Sequence, residues 1–170
     1  DGPGPSLRGL IRGYSGAMGS FGVVTRIAIG LEPWSGPEVL PHEGRTPDYI
    51  VRLPRDTHRA FVFKFPTLDA VRDAMHEIGK AEIGAGVIKY FNCTAALLCT
   101  SSANEFHELW DSGLFQRELA MPLYVYLATH SAAEMTYQQR VLEDIVQEFG
   151  GAPVDARIQK FYDDNMDMSL

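Results

Sequence analysis

The chain has 170 residues, enough for one full domain with a sizeable core, or for one domain plus a fragment of another. Its 45% hydrophobic and 22% charged residues are ordinary for a globular protein, and no apolar run reaches the roughly eighteen residues a membrane span requires. Fifteen basic against twenty-two acidic side chains give a net charge of −7 without a basic stripe, which excludes a general nucleic-acid binder.

The chain opens Asp1-Gly2-Pro3-Gly4-Pro5, with neither a starting methionine nor a secretory signal. This suggests a piece of a longer, cytoplasmic polypeptide. The first informative stretch is Gly16 to Thr25, where Gly16, Gly19 and Gly22 recur every third residue and lead into Val23-Val24-Thr25-Arg26-Ile27-Ala28-Ile29. The β-branched run predicts a strand. Backbone N–H groups at glycines can approach an anionic ligand closely, although a tight bend accounts for the same glycines. A glycine bend feeding a strand reverses the dinucleotide fingerprint, in which the strand comes first and a helix follows, so that fingerprint is not matched.

From 35 to 58 the sequence carries Pro37, Pro41, Pro47 and Pro54 with Gly36 and Gly44, a composition for a surface connector with a short strand at Tyr49–Leu53. Arg59–Phe65 then alternates as a strand. Pro66-Thr67 opens a helix whose Leu68, Val71, Met75 and Ile78 recur at helical spacing, with Asp69 in its first turn. Gly84-Ala85-Gly86 breaks the chain before a second strand, Val87–Phe91, and Asn92 is placed to cap a helix through Cys99. Ser102/Glu105 and Ser131/Glu134 have capping-box spacing and introduce further helices. Between those helices, Leu123–Leu127 reads as the third strand. Gly150-Gly151 ends the last long helix, and a further strand is expected near Val154 to Lys160. The order β-α-β-α-α-β-α-β predicts an α+β fold, ferredoxin-like, with one antiparallel sheet and helices on one face.

Residues 1–13, the run Gly16–Thr25 and the closing Leu31-Glu32-Pro33 resemble the end of a flavin domain. That domain is found in FAD-linked oxidases of the vanillyl-alcohol oxidase type, a group that includes the glycolate oxidase flavin subunit, D-lactate dehydrogenases and alkyl-dihydroxyacetone-phosphate synthase. Gly19, Ser20, Phe21, Gly22, Val23, Val24 and Thr25 fall on matching residue types, while Met18 stands where the family usually has an acidic residue. The resemblance implies three parts: residues 1–34 as the end of the FAD-binding domain, 35–58 as a connector, and 59–170 as the cap (substrate) domain. It implies FAD as cofactor, contacted by Met18, Gly19, Ser20, Phe21, Gly22, Val23 and Val24, with other walls of the site supplied by a missing remainder of the chain. It also places Lys89 on the cap strand that faces the flavin in some relatives, where an ammonium could bind a substrate carboxylate. The implied activity is that of an FAD-dependent oxidoreductase. A hydroxylated small-molecule substrate, preferentially a 2-hydroxy acid, gives hydride to the flavin, and oxygen or an electron-carrier protein is the final acceptor.

Other constellations are weak. His42, His58, His76, His107 and His130 lack metal-ligand spacing, and no metal site is expected. His76 and His107 read as solvated helix positions and His130 as a strand end. No nucleophile elbow or Ser-His-Asp order stands out, and the catalytic residues are not assigned. Cys93 and Cys99 are read as reduced, partly buried thiols on different faces of one helix. The acidic stretch Asp163 to Asp167 does not fit a calcium loop and reads as a solvated end. A stand-alone ferredoxin-like module that binds a small ligand or a partner through its sheet, without catalysis, explains the last two-thirds of the chain equally well.

Overall fold

A computed structural model describes residues 25, 26, 28, 31, 33–39, 42–44, 50–100 and 102–164. The chain divides into two compact units, Asp1–Pro33 and Trp34–Leu170, and the elements described here all belong to the second. The glycine run and the flavin-contact residues Met18 to Val24 lie outside the described residues. Of the strand expected over 23–29, Thr25, Arg26 and Ala28 are described, and none of the three is in a strand.

A two-stranded ribbon comes first, β1 (His42–Glu43) antiparallel to β2 (Ile50–Val51), where the sequence predicts one short strand. The main sheet contains β3 (His58–Lys64), β4 (Gly86–Lys89), β5 (Pro122–Ala128) and β6 (Ala152–Pro153). Its order is β4-β5-β3-β6, antiparallel throughout. Six helices accompany these strands among the described residues: α1 (Leu68–Lys80), α2 (Asn92–Leu98), α3 (Ala103–Asp111), α4 (Leu114–Glu118), α5 (Ala132–Glu148) and α6 (Ala156–Asp164). An α+β fold around a four-stranded antiparallel sheet is therefore what the chain forms.

Local chemistry explains where the helices start. Thr67 is extended and its hydroxyl accepts the Ala70 N–H, so one of the first-turn donors of α1 is satisfied. Val71, Ala74 and Ile78 then fall on one buried stripe, whereas Leu68, expected on that stripe, is 57% exposed. Ser102 and Ser131 cap α3 and α5 by accepting the N–H groups of Glu105 and Glu134. Glu134 reaches back one residue beyond the cap and accepts the His130 N–H at 2.9 Å. The end of α5 depends on Gly150, left-handed at φ 71°, while the Gly151 N–H returns to the Val146 carbonyl.

Two expectations are corrected here. The sequence predicts helices on one face of the sheet, and both faces are covered. On the first face, Phe61, Phe63, Leu123, Val125 and Leu127 pack against the buried stripes of α1 and α5. On the second, Ala60, Val62, Tyr124 and Tyr126 pack against Ala95 and Ala96 of α2, Phe115 and Leu119 around α4, and Ile158 and Tyr162 of α6. The physical reason is that β3 and β5 are apolar at successive positions, as strands buried on both sides must be.

The strand expected over 154–160 is the second correction, because that stretch forms α6. Asp155 starts it, its carboxylate accepting the Arg157 N–H and its carbonyl the Gln159 N–H. Ile158 and Tyr162, one helical turn apart, are both buried on the second face. This leaves β6 only two residues long, paired to Phe63 and Lys64. Further along the β3 edge, the Gln159 side chain takes the place of a strand. Its Oε1 accepts the Val62 N–H at 2.9 Å and its Nε2 donates to the Ala60 carbonyl at 2.8 Å.

Candidate functional site

Lys89 is the last residue of β4, an edge strand of the main sheet. It sits opposite Leu123, whose side chain belongs to the core under α1 and α5, so Lys89 shares that face. The alternate residues Ile88 and Tyr90 turn to the second face. Its side chain is half-buried, with Nζ 4.8 Å from the centroid of the Phe91 ring, which is 75% exposed. An ammonium over a ring face is held by the ring quadrupole.

Lys64 makes the contrast. Its Nζ donates to both oxygens of Glu118, at 2.9 and 2.8 Å, and Glu118 also accepts the Asp155 N–H at 2.9 Å. That bidentate pair ties the end of β3 to α4 and to the start of α6, and it neutralises the lysine.

Asn92 does not cap α2 as expected. Phe91 is the capping residue and makes no side-chain cap bond, while Asn92 is the first helical residue and its Oδ1 accepts the Cys93 N–H. The helix therefore begins directly after the Lys89–Phe91 contact.

On the second face the tyrosines form a continuous layer. Tyr124 lies 6.0 Å from Tyr90 and 5.6 Å from Tyr162, centroid to centroid, and the Tyr162 hydroxyl donates to the Ala95 carbonyl. Cys99 borders this layer. Burial pushes its thiol up to about 11, against the smaller opposing effect of its hydrogen bond with Tyr162, whose own phenol is raised chiefly by burial. A thiol raised in the folded state favours folding below its unfolded value, and that contribution disappears as the pH climbs toward 11. Cys93 is exposed and Cys99 half-buried, both free. Brief treatment with iodoacetamide near neutral pH is therefore expected to label Cys93 and spare Cys99, read by peptide mass spectrometry. Equal labelling would contradict the protonated, sheltered state of Cys99.

Sequence reasoning gave no role to His58, which is 1% exposed. Its Nδ1 lies 2.9 Å from the Thr57 hydroxyl and its Nε2 3.3 Å from that of Ser35, between the rings of Trp34 and Tyr126. Trp34 is itself pinned, donating from Nε1 to the Pro37 carbonyl. The imidazole fastens the chain at Trp34–Ser35 to the start of β3. Position at the head of an apolar run is the one sequence signal that could have flagged it. His76, His107 and His130 are exposed. Among the described residues no three His, Cys, Asp or Glu side chains could share a metal ion, and no helix is long and apolar enough to cross a membrane. No family model matches the chain, and comparison with curated proteins and with solved structures finds no match either.

Proposed function

We propose that the chain is part of an FAD-dependent oxidoreductase, with residues 59–170 as a ferredoxin-like cap that shapes the pocket for a hydroxylated substrate, best matched by a 2-hydroxy acid in view of Lys89. Bound flavin would supply the hydride acceptor, with oxygen or an electron-carrier protein as the onward acceptor. Met18 to Val24 would form one wall of the cofactor site, and this assignment rests on the sequence resemblance alone. Supporting the cap assignment, the strand order β4-β5-β3-β6 with α1 and α5 as the crossing helices is that of a split βαβ sheet. The observation that carries the substrate assignment is the half-buried Lys89 ammonium, engaged by a ring and paired with no carboxylate among the described residues. It would hold the substrate carboxylate and orient the hydroxyl-bearing carbon.

In the intact flavoprotein, Lys89→Met is expected to raise KM for a 2-hydroxy acid about tenfold to a hundredfold with little change in kcat, the worth of one charge-assisted bond. Steady-state kinetics check this, and an unchanged KM would remove Lys89 from the substrate site.

The second reading is a stand-alone module that binds a ligand or partner without catalysis; with both faces of the sheet covered within the chain, it would bind elsewhere than on a sheet face. Glycine-rich flavin loops upstream in the same reading frame would favour the enzyme, and an unrelated domain there the module.

A further inference from the structure

We infer that Lys89 and Phe91 together select carboxylates bearing an aromatic or bulky apolar substituent over small ones. The inference builds on the substrate role proposed for Lys89 and adds what lies beside the carboxylate. Three observations combine. Lys89 is half-buried, and among the described residues no carboxylate pairs with it, whereas Lys64 and Lys80 are held by Glu118 and Glu77. Its Nζ stays 4.8 Å from the Phe91 centroid. Phe91 is 75% exposed, and the helix that follows it adds Leu97 at 57% and Leu98 at 36%, a concentration of exposed apolar side chains on one short element.

Charge and ring therefore form one unit with two chemistries. The ammonium lies over one face of the ring and fits an anion, while Phe91, 75% exposed, leaves the rest of its apolar surface to water. A carboxylate seated on Nζ brings its own substituent to the neighbouring ring, because offset aromatic pairs are stable at centroid separations of about 4.5–7 Å. A substrate such as 3-phenyllactate satisfies both partners. Lactate satisfies the ammonium alone and leaves Phe91 in water.

The test titrates the full 170-residue chain, 13C-labelled, with 3-phenyllactate, lactate and 2-phenylethanol, following the Lys89 side-chain and Phe91 ring signals by NMR. Saturable shifts at both residues are expected with 3-phenyllactate, with lactate and 2-phenylethanol each about tenfold weaker. Lys89→Met should erase the advantage over 2-phenylethanol, and Phe91→Ala the advantage over lactate. Both positions are solvent-accessible, and the methyl spectrum of the core reports whether each variant stays folded. Equal binding of 3-phenyllactate and lactate, shifts confined to other residues, or no saturable binding would each overturn the inference. Flavin takes no part in this titration. Selective binding by this chain, together with an intact protein that takes up no flavin, would overturn the oxidoreductase reading and leave the selectivity standing.

Discussion

Phe115→Ala is expected to lower the unfolding free energy by about 3–5 kcal/mol, the usual loss when a buried phenylalanine is truncated. Phe115 is 1% exposed and sits in α4, a helix of only five residues. So short a helix has little stability of its own and depends on the side chain it buries. The ring meets Phe106 and Trp110 of α3, each at 6.4 Å between centroids, and shares a core with Tyr124, Tyr126 and Leu119. Removing it opens a cavity where α3, α4 and the second face of the sheet converge. Against a total of about 5–15 kcal/mol for a domain, such a loss takes a large share of the stability. Urea denaturation followed by circular dichroism measures it. A loss under about 1 kcal/mol would mean that the second face is not a close-packed core.

Gln159→Leu should cost about 2–4 kcal/mol, because it strips partners from two main-chain groups and supplies none. The Gln159 amide occupies the β3 edge where β6 has already ended, accepting from the Val62 N–H and donating to the Ala60 carbonyl. Ala60 and Val62 are both essentially inaccessible to water, at 0% and 1% exposure, so solvent is poorly placed to replace the lost bonds. Gln159→Glu keeps the acceptor for the Val62 N–H and removes the donor to Ala60, so it should fall between wild type and the leucine variant. Hydrogen exchange at the Val62 amide gives a local readout. Its protection should fall sharply with leucine and survive in part with glutamate. Unchanged protection with leucine would show that the amide does not close this edge.

These two positions also mark where the fold was and was not legible in the sequence. Thr67, Ser102 and Ser131 could be read as helix starts because a cap is a short-range interaction, contained within three or four residues. The three longer strands could be read from apolar runs, each correct to within two residues at its ends. Helix α6 was hidden because Val154, Ile158 and the preceding Gly150-Gly151 imitate a strand after a turn. What decides for a helix is tertiary: Ile158 and Tyr162 bury against the sheet and Gln159 binds β3 about a hundred residues away in sequence. The covered second face was missed for a related reason. Arg59–Phe65 shows some alternation, but Ala60 to Phe63 is unbroken in its apolar character and is buried throughout.

The candidate site divides in the same way. Resemblance alone points to Lys89, and its β-branched neighbours Val87 and Ile88 predict the strand that carries it. Its engagement by Phe91 depends on β4 stopping at Lys89 and α2 starting at Asn92, whereas the sequence puts the strand end two residues later and the helix start one residue later. His58 gave no spacing pattern at all, since its partners Thr57 and Ser35 come from the adjacent residue and from a segment twenty-three positions earlier.

The most direct test of the flavoprotein reading is the visible spectrum of the intact protein, purified with whatever upstream sequence its reading frame supplies, before and after anaerobic addition of a 2-hydroxy acid. The account predicts a yellow protein whose flavin bands bleach on addition of the acid, with 3-phenyllactate effective at lower concentration than lactate. A colourless protein that takes up no added FAD would contradict it.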